Sequence, residues 1–330
     1  MLWRSRLTVL VTIAASTAAA VGGAEVLYHY RTVRPVSMSA SQGTELPASQ
    51  PPAVPSSSPR TSQRHPGQAM TQHAAPNPPA TTAGARSSKK GVATWSFTKV
   101  GKALTKSGAT WYYTWAPDHH GIGSPRGVHF VPMIWGPGSV TAANLSEVKH
   151  EGHFLLGFNE PDMSSQSNMS VPQALRLWPR LMSTGMTLGS PAVASGGATP
   201  GGWLDRFMSG VKSRHYRVNF IPLHWYGGDF VTHDAVSQLQ SYLQAVHARY
   251  HKPIWLTEFA LIRFGSSTTF PSARQQAAFV TAATKMLQRL PWVQRYAWFA
   301  LPADKGDGTA GLFHPGAVAT RAGRAFEAAH

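Results

Sequence analysis

The chain has 330 residues, no cysteine and a formal net charge of +16. That length holds one large domain with accessory segments, and the missing cysteines exclude a disulfide scaffold and any thiolate metal site. Residues 1–91 carry 9 Lys/Arg against 2 Asp/Glu and residues 92–330 carry 21 against 12, so no long basic run marks a nucleic-acid site.

Residues 1–30 read as a targeting segment. Arg4 and Arg6 precede an apolar stretch over 7–27, broken only by small or hydroxyl residues until Glu25. Its length fits a signal peptide or a single membrane span. Ala18, Ala20, Gly22 and Ala24 offer cleavage sites, and Arg31 and Arg34 do not fix an orientation. The protein is therefore expected to be secreted or extracellular, with a membrane anchor as the alternative.

Residues 31–90 are expected to form a disordered linker. They are rich in Pro, Ser, Ala, Thr and Gln, and Pro51, Pro52, Pro55, Pro59, Pro76, Pro78 and Pro79 bar a helix or a central strand. Such a stretch buries too little apolar surface to offset its ordering entropy. It suits a spacer between a membrane or wall and a folded head. No internal repeat is present.

Residues 91–330 read as one globular domain. Eight apolar runs recur, at 92–97, 110–115, 128–135, 154–158, 187–193, 218–226, 253–259 and 294–300. Helical patterns lie between several of them. Asp234 reads as an N-cap ahead of Val236, Leu239, Leu243 and Val246, and Ser272 caps a helix carrying Phe279, Val280, Ala283 and Leu287. Pro172 sits just inside a helix begun by Ser170 or Val171. Alternating strands and helices predict a parallel sheet, and eight strands predict closure into an α/β fold of the (β/α)8 TIM-barrel type, usually about 250 residues.

In such a barrel the active site lies at the C-terminal strand ends. Run four ends in Gly-Phe-Asn-Glu-Pro-Asp (157–162), and run seven in Trp-Leu-Thr-Glu-Phe (255–259). Each places a glutamate, Glu160 or Glu258, where a strand meets the mouth. A carboxylic acid and a carboxylate across one pocket suit glycoside hydrolysis: one protonates the leaving oxygen, the other attacks or activates water. Asn159 stands where it can bond a sugar 2-hydroxyl. His224 and Tyr226 end run six on one face, next to the Glu258 strand, and either can hold that carboxylate. Trp135 and Trp298 are candidate sugar platforms, with core packing as the equal alternative.

These segments, with His224-Trp225-Tyr226, resemble glycoside hydrolase family 128, a β-1,3-glucanase family. The C-terminal stretch Gly311-Leu312-Phe313-His314-Pro315-Gly316, then Thr320 and Gly323-Arg324-Ala325, is similar to that family's tail. The likeness covers about 92–330. It implies Glu160 as acid/base, Glu258 as nucleophile, retention of configuration and β-1,3-glucan as substrate, without a cofactor. One departure lies at the second run, which reads Trp-Tyr-Tyr-Thr-Trp (111–115) where an Asn would be expected near Tyr113 or Trp115.

No P-loop follows the glycines at 196–202 and no Gly-x-Ser-x-Gly elbow is present; His119-His120 has no carboxylate at metal spacing, so no metal is expected. The expected partner is a polysaccharide, with possible attachment to membrane or wall through the N-terminus and with no nucleic acid; the head is expected to be a monomer. The competing readings are a carbohydrate-binding or wall module on the same barrel that has lost catalysis, and a hydrolase of another β-glycan.

Overall fold

The computed structural model describes residues 87–303 and 309–330. The expected leader and almost all of the expected linker lie outside the described residues. Among the described residues no helix is long and apolar enough to cross a membrane.

Eight short parallel strands build an α/β barrel-like core: β1 (Lys90–Ala93), β2 (Trp111–Tyr113), β3 (His129–Phe130), β4 (Phe154–Leu155), β5 (Thr187–Leu188), β6 (Ile221–Gly227), β7 (Ile254–Leu261) and β8 (Val293–Trp298). Six pair in the order β3-β2-β1-β8-β7-β6, and β4 pairs with β5. Single bridges join the two sets, Met133 with Leu156 and Gly189 with Phe220, so hydrogen bonding passes round the ring. A small antiparallel pair, β9 (Phe313–His314) and β10 (Val318–Ala319), follows β8. The helices are α1 (Val100–Ser107), α2 (Ala142–Glu151), α3 (Val171–Met182), α4 (Trp203–Ser213), α5 (Thr232–Tyr250), α6 (Ala273–Arg289) and α7 (Arg321–Glu327).

Local chemistry sets the helix starts. Ser170 accepts from the Gln173 amide at the head of α3, and Ser272 forms a capping box with Gln275 at the head of α6. Asp234 differs from expectation: α5 begins two residues earlier behind Val231, leaving Asp234 in the first turn, where it complements the helix dipole instead of capping.

A bulge decides which residues face inward. Between β6 and β7 the register is Leu223 with Leu256 but then His224 with Glu258, and between β7 and β8 it is Leu256 with Tyr296 but then Phe259 with Trp298. Thr257 is the extra residue in both, and an extra residue reverses the alternation of side chains. Trp255 therefore packs inside, its ring centroid 4.1 Å from Phe220 and 5.0 Å from Phe154. Glu258 also faces inside, while Phe259 turns out toward Phe279 of α6.

The folded unit begins earlier than residue 91. Lys90 opens β1, paired with Tyr296, and Lys89 Nζ donates to the carbonyls of Leu287, Gln288 and Leu290 at the end of α6. The expected linker end at residue 90 is corrected accordingly: these lysines cap helix C-termini, which their charge favours.

Candidate active site

The strand ends bring Glu160 and Glu258 together. A carboxylate oxygen of each and a ring nitrogen of His224 all lie within 4.8 Å of one another. The glutamates are only 7% and 5% exposed, so both are shielded from bulk water without being wholly sealed from it. Glu160 stands just past β4, where its amide donates to the Ala192 carbonyl and the Asn159 amide to that of Trp135. Its φ is +40°, a left-handed conformation that costs a non-glycine residue about 1–3 kcal/mol and persists where the surroundings hold it. The β4–β5 arc supplies that hold, because a Cβ at Gly157 would lie 2.9 Å from the carbonyl oxygens of Gly189 and Ser190.

Three donors converge on Glu258. Tyr113 and Trp115 donate to Oε1 at 3.1 and 2.8 Å, and the Tyr226 hydroxyl donates to Oε2. Burial, then the nearby carboxylates, hold the Tyr113 and Tyr226 phenols well above their usual range, so both remain donors. Such a ring of N–H and O–H groups serves a bare carboxylate rather than a metal-bound one. Trp115, like Glu160, has positive φ, +57°.

His224 is buried between the two carboxylates. Nδ1 lies 2.8 Å from Glu160 Oε1 and Nε2 3.5 Å from Glu258 Oε1. Burial raises the pKa of Glu160; the contact with His224 opposes this and the charges of Glu258 and Asp162 add to it. A raised pKa is the direction a general acid requires.

The remaining site candidates separate. Asn159 is buried beside Glu160 and donates Nδ2 to Gln166 Oε1 at 3.3 Å, leaving Oδ1 without a partner. Trp135 is half-buried on the same side, and its Nε1 also lacks a partner. Trp298 is a correction: it is fully buried, packs on Phe259 and Phe279, and donates Nε1 to the Ala310 carbonyl at 2.7 Å. The bulge at Thr257 sets its partner Phe259 outward, so Trp298 belongs to the sheet–helix core and not to the cleft. The sequence assigns no site role to Tyr113, Trp115, Gln166 or Asp162. Asp162 accepts from the Ala194 amide and so ties the loop after β5 to the loop carrying Glu160. Trp95, Trp115, Tyr226, Phe264 and Phe299 form a contiguous aromatic wall beside Glu258.

The chain belongs to the glycosyl hydrolase catalytic core family, whose model matches residues 91–326, and within it to glycoside hydrolase family 128. It is 56% identical to a subgroup I endo-β-1,3-glucanase of that family from Amycolatopsis mediterranei, solved with laminaripentaose, at a TM-score of 0.71 over 74% of this chain and 100% of that one. A subgroup II endo-β-1,3-glucanase from Sorangium cellulosum is 30% identical, with a TM-score of 0.61 over 73% of this chain and 98% of that one. The alkali-sensitive linkage protein 1 of Schizosaccharomyces pombe is 32% identical over 231 residues, 67% of this chain but only 40% of that protein's length.

Proposed function

We propose that this member of family 128 is an exported endo-β-1,3-glucanase working by double displacement, with Glu160 as acid/base and Glu258 as nucleophile. The observation that carries this is the short gap between the carboxylates, with oxygens within 4.8 Å. Retaining enzymes hold their two carboxyl groups about 5–5.5 Å apart; inverting ones need roughly 6.5–9.5 Å to admit a water. The 56% identity to a solved endo-β-1,3-glucanase supports both linkage and retention.

The steps follow from the geometry. Glu160 gives its proton to the glycosidic oxygen as the bond to C1 breaks, and Glu258, oriented by Tyr113, Trp115 and Tyr226, forms the ester bond to C1. Water then attacks C1, Glu160 takes its proton, and Glu258 leaves as carboxylate. The unpartnered Oδ1 of Asn159 and Nε1 of Trp135 suit sugar hydroxyls in the cleft. The aromatic wall suits stacking on sugar faces.

In the same reading the core is a complete (β/α)8 barrel. It follows a Pro/Ser/Ala-rich spacer and a leader at 1–30 that is either cleaved or retained as an anchor, which would hold the enzyme at a membrane or wall. The head acts as a monomer in this reading. Initial rates on β-1,3-, β-1,4- and mixed-linkage glucans and on mannan test the substrate, and NMR of the first-formed anomer tests retention. Glu160→Gln and Glu258→Gln should each remove most turnover at unchanged Tm; wild-type rates in either, or hydrolysis confined to β-1,4 linkages, would defeat the proposal.

A further inference from the structure

The acid/base needs one proton before the first step, and the surroundings of His224 determine where that proton can stand. Nε2 is buried, 3.5 Å from Glu258 Oε1, with no other partner. A bare nitrogen lone pair aimed at a carboxylate oxygen would set two buried acceptors face to face, which is unfavourable and uncompensated. Nε2 therefore carries hydrogen and directs it at Glu258. The 2.8 Å contact between Nδ1 and Glu160 Oε1 likewise needs one hydrogen between its two atoms.

Two arrangements satisfy both contacts. In one, the carboxylic acid of Glu160 donates to a neutral imidazole. In the other, an imidazolium donates to the Glu160 carboxylate. They contain the same protons and the same charge, −1 over the three groups. They differ by one transfer, in which the Nδ1–H bond breaks and the Oε1–H bond forms.

Resting on the reading of Glu160 as acid/base, we infer that His224 is a positioning residue that stores the acid's proton: Glu160 and His224 hold one mobile hydrogen between them, and Nε2–H anchors the ring to Glu258. The ionisable groups facing this ring come from every strand end around it: Glu160 and Asp162 beyond β4, Glu258 on β7, and the neutral phenols of Tyr113 and Tyr226 on β2 and β6. Burial alone would pull the His224 pKa down; the charges of Glu258, Glu160 and Asp162 more than offset it, leaving the pKa raised. Sharing keeps the acid loaded to higher pH than a lone carboxyl could, because the proton is lost only when both holders have lost it.

The test uses the full chain labelled with 15N-histidine, with the His224 signals among the 15 histidines assigned through their loss in His224→Gln. Nε2 should stay protonated throughout the active pH range. Nδ1 should titrate along the basic limb of kcat/KM, and its midpoint should fall in Glu160→Gln. In His224→Gln the basic limb should move to lower pH by about one unit or more. That variant's rate deficit should also shrink on a dinitrophenyl laminari-oligosaccharide, whose leaving group needs no proton. An equal His224 midpoint in wild type and Glu160→Gln, or an equal rate loss at every pH and with every leaving group, would overturn the inference. If His224→Gln fails to fold, the midpoints in wild type and Glu160→Gln still decide, with assignment by Nε2 coupling to Glu258. Wild-type turnover in Glu160→Gln would instead defeat the acid/base reading, leaving the proton sharing to the NMR midpoints.

Discussion

Tyr226 donates its phenolic hydrogen to Glu258 Oε2 from the strand beside it, two residues past the point where His224 and Glu258 stand in register. With the strand's period of two, His224 and Tyr226 share a face and meet the same carboxylate from one side. A hydrogen bond to a charged group is worth about 1.5–3 kcal/mol. Tyr226→Phe should therefore lower kcat/KM roughly 10- to 100-fold while the Tm stays near wild type. A variant with undiminished kcat/KM would show that the bond does not support turnover.

Trp115 acts on Glu258 and on the cleft together, since its Nε1 donates at 2.8 Å and its ring joins Trp95 and Phe299. Trp115→Phe keeps a ring and removes the donor, so kcat should fall more than KM rises. Trp115→Ala removes both, so KM should rise as well. Steady-state kinetics on one β-1,3-oligosaccharide separate the two, and a pure KM effect in the Phe variant would leave the ring as the residue's only role.

Much of this arrangement is legible in the sequence, for physical reasons. Apolar runs ending in Asn-Glu-Pro and Thr-Glu mark a strand reaching a mouth, because a carboxylate directly after a buried run has nowhere else to go. The bulge at Thr257 is not legible, since an extra residue leaves no mark in composition. Strict alternation gives no warning that Trp255 and Glu258, three apart, share the inside. Trp298 falls in the core rather than the cleft for that reason, and its type gives no warning, because tryptophan suits a sugar platform and a core equally. Tyr113 and Trp115 are visible only as a departure from the family's second run; nothing local says that their polar tips meet a carboxylate 145 and 143 residues away, respectively.

The start of the folded unit is open to a direct test. Lys89 caps α6, Lys90 Nζ donates to the carbonyls of Phe326 in the last turn of α7 and Ala329 just beyond it, and Ser87 Oγ accepts from Gln288 at 2.6 Å. A chain of residues 91–330 loses all of these contacts and one rung of β1. It should melt roughly 5–15 °C below a chain of residues 87–330, at about 2–4 °C per kcal/mol. The longer chain should match full-length kcat, and equal melting of the two would show that these contacts contribute nothing.

Alkaline pH should unfold the barrel through its tyrosines. Burial is the leading cause that raises Tyr112, Tyr113, Tyr226, Tyr242 and Tyr296, and it pushes Tyr250 up to about 12. Unfolded, each ionises near 10. Above that pH the unfolded chain binds fewer protons than the folded one, so stability falls as pH rises. The contribution is whole below about pH 10 and is lost toward and beyond pH 12. Urea midpoints should be flat with respect to these groups up to about pH 9.5 and then drop, with tyrosinate absorbance at 295 nm rising together with unfolding. Tyrosinate appearing while the native near-UV spectrum persists would contradict the burial argument.

Arg295 closes the barrel floor, and no carboxylate pairs with it among the described residues. Its guanidinium lies 4.3 Å from the ring centroid of Trp255, 4.6 Å from that of Phe154 and 5.5 Å from that of Trp111. Nη1 is buried with no hydrogen-bond partner, and desolvation alone lowers its pKa to about 10, which leaves it charged near neutrality. Cation–π attraction, about 2 kcal/mol when desolvated, works against that burial cost, while the aliphatic stem fills space between three large rings. The two roles separate by substitution. Arg295→Ala opens a void at the floor and should cost about 2–5 kcal/mol, as large-to-small core changes do. Arg295→Met keeps most of the volume and removes the unpaired charge, so it should stay within about 1 kcal/mol of wild type. Urea unfolding measures both, and kcat below the melting transition should be unchanged, because Arg295 stands at the N-terminal half of β8, away from the mouth. A Met variant as unstable as the Ala variant would mean that the charge itself, and not the filled volume, holds the floor together.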